Sequence, residues 1–133
     1  TLTQDKPDEL ITVSVVRARF AELTARQTEL VDRSAELFLA GLFSTIDALL
    51  DQPIDEAIVG LPLPGDVKKA LIGQDGPITP LYRLALAYEQ GLWDEVGELA
   101  GREGVPEQVL PRAYVAAVSW AREFCEQGGT SRE

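Results

Sequence analysis

Ala35-Glu-Leu-Phe-Leu-Ala-Gly-Leu-Phe-Ser-Thr-Ile-Asp-Ala-Leu-Leu50 is the stretch that decides the fold class. Ala35, Phe38, Leu39, Leu42, Ile46, Leu49 and Leu50 recur at helical spacing and draw one broad apolar face. Leu37 and Phe43 carry that face further around, which predicts a central, heavily buried helix. Ser34 is its plausible N-cap and Pro53 its stop. The stretch is too short, and too often interrupted by Glu36, Ser44, Thr45 and Asp47, to span a bilayer.

Working outward, residues 1–7 read as a polar lead-in and Asp8 as the cap of a helix starting near Glu9. Val13, Val16, Phe20 and Leu23 form its stripe. The β-branched run from Ile11 to Val16 admits a strand as the competing reading, but the Arg17–Leu23 continuation favours helix. Downstream, prolines 53, 62, 64 and 77 alternate with glycines 60, 65, 73 and 76, leaving room for short helices over Ile54–Val59 and Pro64–Ile72. Three further helices are expected. One covers Pro80–Gln90, ending at Gly91. A second covers Leu92–Gly101. The third opens with Gly104-Val-Pro-Glu and ends near Gln127, with Pro111 marking either its true start or a kink. Residues 128–133 are expected to fray. No strong strand pattern remains, so the expected fold is all-α, a compact bundle of six or seven helices in a single domain over residues 1–133.

Composition narrows the function. The chain has 133 residues, 12 Lys+Arg against 22 Asp+Glu, a formal net charge of −10, no histidine and one cysteine. Without histidine, His-ligated metal sites, Ser-His-Asp triads and Cys-His dyads are excluded within this chain. The negative charge argues against nucleic acid or an anionic membrane as partner. One cysteine forms no internal disulfide and needs no oxidising compartment, and no signal-peptide pattern opens the chain. A cytoplasmic setting is expected. Thr1 in place of an initiator methionine, with no methionine anywhere, suggests a domain cut from a longer protein or a processed chain.

Few residues invite chemistry. The acidic clusters Asp55-Glu56, Asp51 with Asp55, and Asp94-Glu95 with Glu98 could hold Mg²⁺ or Ca²⁺, but read more simply as solvated faces. No phosphate-binding glycine loop or EF-hand occurs. Cys125 lacks a base to activate it and reads as a structural thiol. Trp93 and Trp120 are packing residues or interface anchors. Asp47, set inside the most apolar stretch, needs a partner, and Arg17 and Arg19 are its candidates if the first two long helices pack as a hairpin. The same residues with Ser44 would line any small-ligand pocket. Glu22 and Arg26 form a surface i, i+4 pair.

The Ala35–Leu50 stretch resembles the HDOD domain, a non-catalytic relative of the HD and HD-GYP phosphohydrolases. Where catalytic relatives carry a metal-binding His-Asp pair after Gly-Leu-Leu, Gly41-Leu42-Phe43 is followed here by Ser44-Thr45. The chain as a whole also resembles the C-terminal part of bacterial EAL–HDOD signalling proteins. Pro7-Asp8-Glu9-Leu10, Val16-Arg17-Ala18-Arg19, Leu61-Pro62-Leu63, Leu86 to Trp93, Ala113-Tyr114 and Ser119-Trp120-Ala121 support this in matching order.

The resemblance implies an HD-related helical fold and makes the chain the C-terminal subdomain of an HDOD module. It further implies a regulatory, protein-interaction role in bacterial signal transduction linked to cyclic-di-GMP, with no enzyme activity and no cofactor. Its partner would be an EAL domain of the same chain or a second copy. Two alternatives stand beside it: a residual phosphohydrolase with carboxylate-held metal, and a tetratricopeptide-like scaffold built on Leu84–Ala100, for which no second repeat is found.

Overall fold

A computed structural model describes the backbone of residues 2–130 and the side chains of residues 8–126. Among these residues the chain is all-helical, as the periodicity implied. Helix α1 spans Leu2–Ala25, and a short 3-10 turn, Glu29–Arg33, follows. Then come α2 (Ser34–Leu42), α3 (Ile46–Leu50), α4 (Ile54–Ala57), α5 (Gly65–Leu71), α6 (Thr79–Gln90), α7 (Trp93–Glu103) and α8 (Val109–Thr130). Residues 131–133, part of the expected frayed tail, lie outside the described residues, as do the side chains of the 1–7 lead-in.

The centre of the bundle is α1 rather than the Ala35–Leu50 stretch. Ser14, Val15, Val16, Ala18, Phe20, Ala21, Thr24 and Ala25 are all buried. Helices α2, α6 and α8 pack around α1. Its small residues permit this close surround, because neighbouring backbones can approach where a side chain ends at Cβ. The closest approach is at Gly41 of α2, where an added Cβ would lie 2.5 Å from the Ala18 backbone nitrogen and 2.6 Å from its Cα. Only glycine fits that crossing. The helix also starts earlier than the Asp8 cap implied, running through Pro7 from Leu2.

The Ala35–Leu50 stretch itself is two helices, not one. Phe43 and Thr45 leave helical geometry (φ −94°, ψ 8° and φ −112°, ψ 12°), and α3 ends at Asp51 in the left-handed region at φ 56°. The break reassigns the faces. Leu37, Ala40 and Gly41 are buried and Phe38, Leu39, Leu42 and Ile46 half-buried, whereas Ala35, Leu49 and Leu50 are exposed. A uniform helix would have kept all of the expected stripe on one side.

The remaining elements follow their local signals. Gly91 and Gly104 end α6 and α7 with positive φ (75° and 72°), donating backbone N–H groups to the carbonyls of the preceding turn. Pro111 sits in the first turn of α8, where its missing N–H leaves no helical acceptor unfilled, so the question of start or kink resolves as a start. At the other end of the bundle, Arg33 ties α2 to α5. Its Nε and Nη2 donate to Glu36 at 2.7 Å, and Nη2 also reaches Asp66 at 2.5 Å. These bonds, to Glu36 first and then to Asp66, hold the guanidinium even further above its usual range.

Candidate functional site

Three of the polar residues singled out in the sequence, Arg17, Ser44 and Thr45, converge where α1 crosses the α2–α3 break. Arg17, half-buried on α1, donates from Nε to Glu89 of α6 at 2.8 Å, with Nη2 at 2.6 Å from the same oxygen. Its Nη1 donates to the Ser44 hydroxyl at 3.1 Å. Ser44 in turn donates to the Gly41 carbonyl at 2.7 Å. One turn earlier on α1, the buried Ser14 hydroxyl is hydrogen-bonded to the buried Thr45 hydroxyl, which also faces the Leu10 carbonyl at 3.5 Å. Ser44 and Thr45 thus fasten the break to α1, and Arg17 fastens both to α6. These hydroxyls close the backbone and the helix crossing upon themselves.

The expected pairing of Asp47 with Arg17 or Arg19 does not form among the described residues. Arg17 takes Glu89, a partner that the sequence reading overlooked, and Arg19 takes Glu22 at 2.8 Å. The break after Phe43 explains the change, because it leaves Asp47 half-exposed in the first turn of α3, where water solvates a carboxylate cheaply. Glu22 also accepts from Arg26 at 3.4 Å, the i, i+4 pair read from the sequence. Arg19 lies over the Trp120 ring, with 5.2 Å from its guanidinium carbon to the ring centroid, and its Nε is buried without a hydrogen-bond partner.

Beneath the Arg17–Glu89 pair lies an aromatic cluster. Phe20, Tyr88 and Tyr114 meet with ring centroids 5.2–5.4 Å apart, and Tyr88 meets Trp93 edge-on at 5.4 Å. Burial pushes the neighbouring Tyr82 phenol up to about 12, with Arg17 opposing and Asp47 and Glu89 adding to the rise. Burial, then Glu89 and Tyr88, also raises Tyr114.

The two tryptophans occupy different settings. Trp120 is half-buried, edge-on to Phe38 and stacked on Phe124, whereas Trp93 is 61% exposed. Cys125 is half-buried, 3.9 Å from the Thr12 hydroxyl. Among the described residues, no three acidic or cysteine side chains gather to hold a metal ion. No helix among them is long and apolar enough to cross a membrane.

Sequence comparison finds relatives for nearly the whole chain. It is 33% identical over 123 residues to the cyclic di-GMP phosphodiesterase CdgJ of Vibrio cholerae, covering 92% of this chain and 28% of CdgJ. It is 31% identical over 118 residues to the uncharacterized protein YuxH of Bacillus subtilis, covering 89% of this chain and 28% of YuxH. The chain therefore spans little more than a quarter of the length of these relatives. No family model matches it. No solved structure matches it either.

Proposed function

We propose that this chain is a non-catalytic HDOD-type module that regulates a cyclic-di-GMP signalling protein through protein contacts. The observation that carries the reading is its similarity to CdgJ, which runs through 92% of the chain yet takes in only 28% of that phosphodiesterase. In this chain that segment is a helical bundle, and on this reading it acts by offering surfaces that bias a partner's conformation. The state of Ser44 and Thr45 supports the same reading. At the positions where the resemblance would put metal ligands, both hydroxyls are spent on holding α1 and the α2–α3 break together. The partner would be the catalytic portion of the same polypeptide or another copy of the module.

The test uses CdgJ itself. Deleting its matching segment is expected to change its turnover of cyclic di-GMP, and grafting this chain in that place to move turnover back toward the intact value. An unchanged rate on deletion overturns the regulatory reading. Separately, this chain incubated with cyclic di-GMP and Mg²⁺ or Mn²⁺ is expected to release no product. Metal-dependent turnover lost on acid-to-alanine substitution would replace the proposal with a carboxylate-based phosphohydrolase.

A further inference from the structure

One face of the bundle carries apolar side chains and charges that the fold leaves unused. Leu92 and Trp93, at the α6–α7 turn, are 46% and 61% exposed and share a concavity with Asp94 and Glu95. On α8, Val115 is 68% exposed and shares a groove with Tyr114, Val118 and Arg122. Tyr88 joins the two halves, since its ring lies 5.4 Å from both the Trp93 and the Tyr114 rings. The result is one apolar strip with an acidic side on α7 and a basic side on α8, where Arg122 lines the groove two turns after Val115 and Arg112 stands one turn before it. Among the described residues, Asp94, Glu95, Arg112 and Arg122 take part in none of the ion pairs that bind the bundle together.

A strip with opposite charges on its two sides is complementary to itself. In a two-fold dimer each residue contact occurs twice, so the acidic side of one copy faces the basic side of the other while the apolar centres meet. We propose that this face is a dimerisation surface whose partner is a second copy of the same chain. Trp93 and Val115 are the apolar anchors, and Asp94 and Glu95 face Arg122 across the axis. Both the exposed tryptophan and the bordering arginines suit such an interface, where Trp and Arg dominate binding energy. The charge order also sets the register, because an antiparallel arrangement pairs opposite charges and a parallel one opposes like charges. For its biological meaning the inference rests on the proposed role as an interaction module, but its test reads assembly alone.

Sedimentation equilibrium or light scattering of this chain over a concentration series provides the test. A reversible monomer–dimer equilibrium is expected, weakening as salt rises because the charge pairs lie at the rim. Val115→Glu, on an open helix face where folding is undisturbed, is expected to weaken dimerisation at least ~10-fold. Arg122→Glu and Glu95→Arg should each weaken it, and the double variant should recover much of the loss, which a merely destabilised monomer would not do. A chain that stays monomeric up to about 0.5 mM overturns the proposal, since a specific dimer of useful affinity would form there. A dimer indifferent to Val115→Glu and to the charge exchange overturns it equally, by placing the contact elsewhere. If the dimer forms as described while the CdgJ deletion leaves turnover unchanged, the surface stands and the regulatory reading alone falls.

Discussion

The crossing of α1 with the α2–α3 break and the strip from Trp93 to Val115 share one aromatic cluster but use their polar groups in opposite ways. At the crossing, Ser14, Arg17, Ser44, Thr45 and Glu89 are all bonded to one another or to backbone, and Gly41 brings two helices into contact. At the strip, charges stand unpaired within the bundle and the largest side chain is mostly in water. The first region holds the fold and the second is available to a partner. Substitutions should therefore be costly to stability at the crossing and nearly silent at the strip.

The largest expected effect is at Gly41. Valine there would drive a branched side chain into the Ala18 backbone, which has no flexible end to yield, so a loss of about 3 kcal/mol or more is expected in urea denaturation. Gly60→Ala is the control. Its added Cβ meets nothing within 4 Å, and its effect should stay within about 0.5 kcal/mol. If the two substitutions cost the same, the crossing is looser than its geometry states.

Thr45→Val comes next. It keeps the shape but leaves the buried Ser14 hydroxyl without its partner, a loss of roughly 1–3 kcal/mol. Removing both hydroxyls in Ser14→Ala, Thr45→Val should cost less than the sum of the single changes, because no orphan then remains. Strict additivity in the denaturation midpoints would show that the two hydroxyls are not coupled.

These two predictions also mark how far the residues reveal the fold. The all-α class, the Gly91 and Gly104 caps and the short helices between prolines follow from local chemistry that the chain states openly. The central role of α1 does not. Of its buried face only Val15, Val16 and Phe20 carry a strong hydrophobic signal; Ser14, Ala18, Ala21, Thr24 and Ala25 carry little individually and matter because neighbours come close to them. The Leu-rich Ala35–Leu50 stretch shows a stronger pattern and yet has its last two leucines in water. Its break at Phe43–Thr45 has no proline or positive-φ glycine to announce it, and is held instead by bonds to α1 that exist only in the folded chain. The same reason hid Glu89, which lies 72 positions from Arg17 and meets it only after α6 has docked. Ser44 and Thr45 were visible as special positions through resemblance, but their hydrogen bonds were not.

A smaller effect is expected from Tyr82, on the crossing's side of the cluster. Its folded phenol is raised from 10.0 to about 12, so the folded state favours the neutral form. The stability this supplies is fully present below the unfolded value and is lost as pH rises from there through the folded value. Near pH 11 the loss should reach about 1 kcal/mol. Tyr82→Phe cannot ionise and should flatten that part of the stability curve, and the late part of the native protein's phenolate absorbance, to which the raised Tyr114 also contributes, should shrink in that variant. An unchanged alkaline slope in Tyr82→Phe would assign the loss to other groups.

Apart from the Gly60 control, the smallest stability effect should come from the largest exposed side chain. Trp93 is 61% exposed and touches the bundle chiefly through the edge of Tyr88, so truncation to alanine removes little buried area. A cost within about 1 kcal/mol is expected for the monomer, far below the several kcal/mol typical of an interior tryptophan. The same substitution should weaken self-association strongly, because in the dimer the exposed part of the indole becomes the buried part. Trp93 thus separates stability from assembly in one side chain. A large loss of monomer stability would make Trp93 a member of the core and dissolve the contrast between the two regions. A small loss together with a weakened dimer would fix the boundary of the holding region between Tyr88 and Trp93, across a single ring contact.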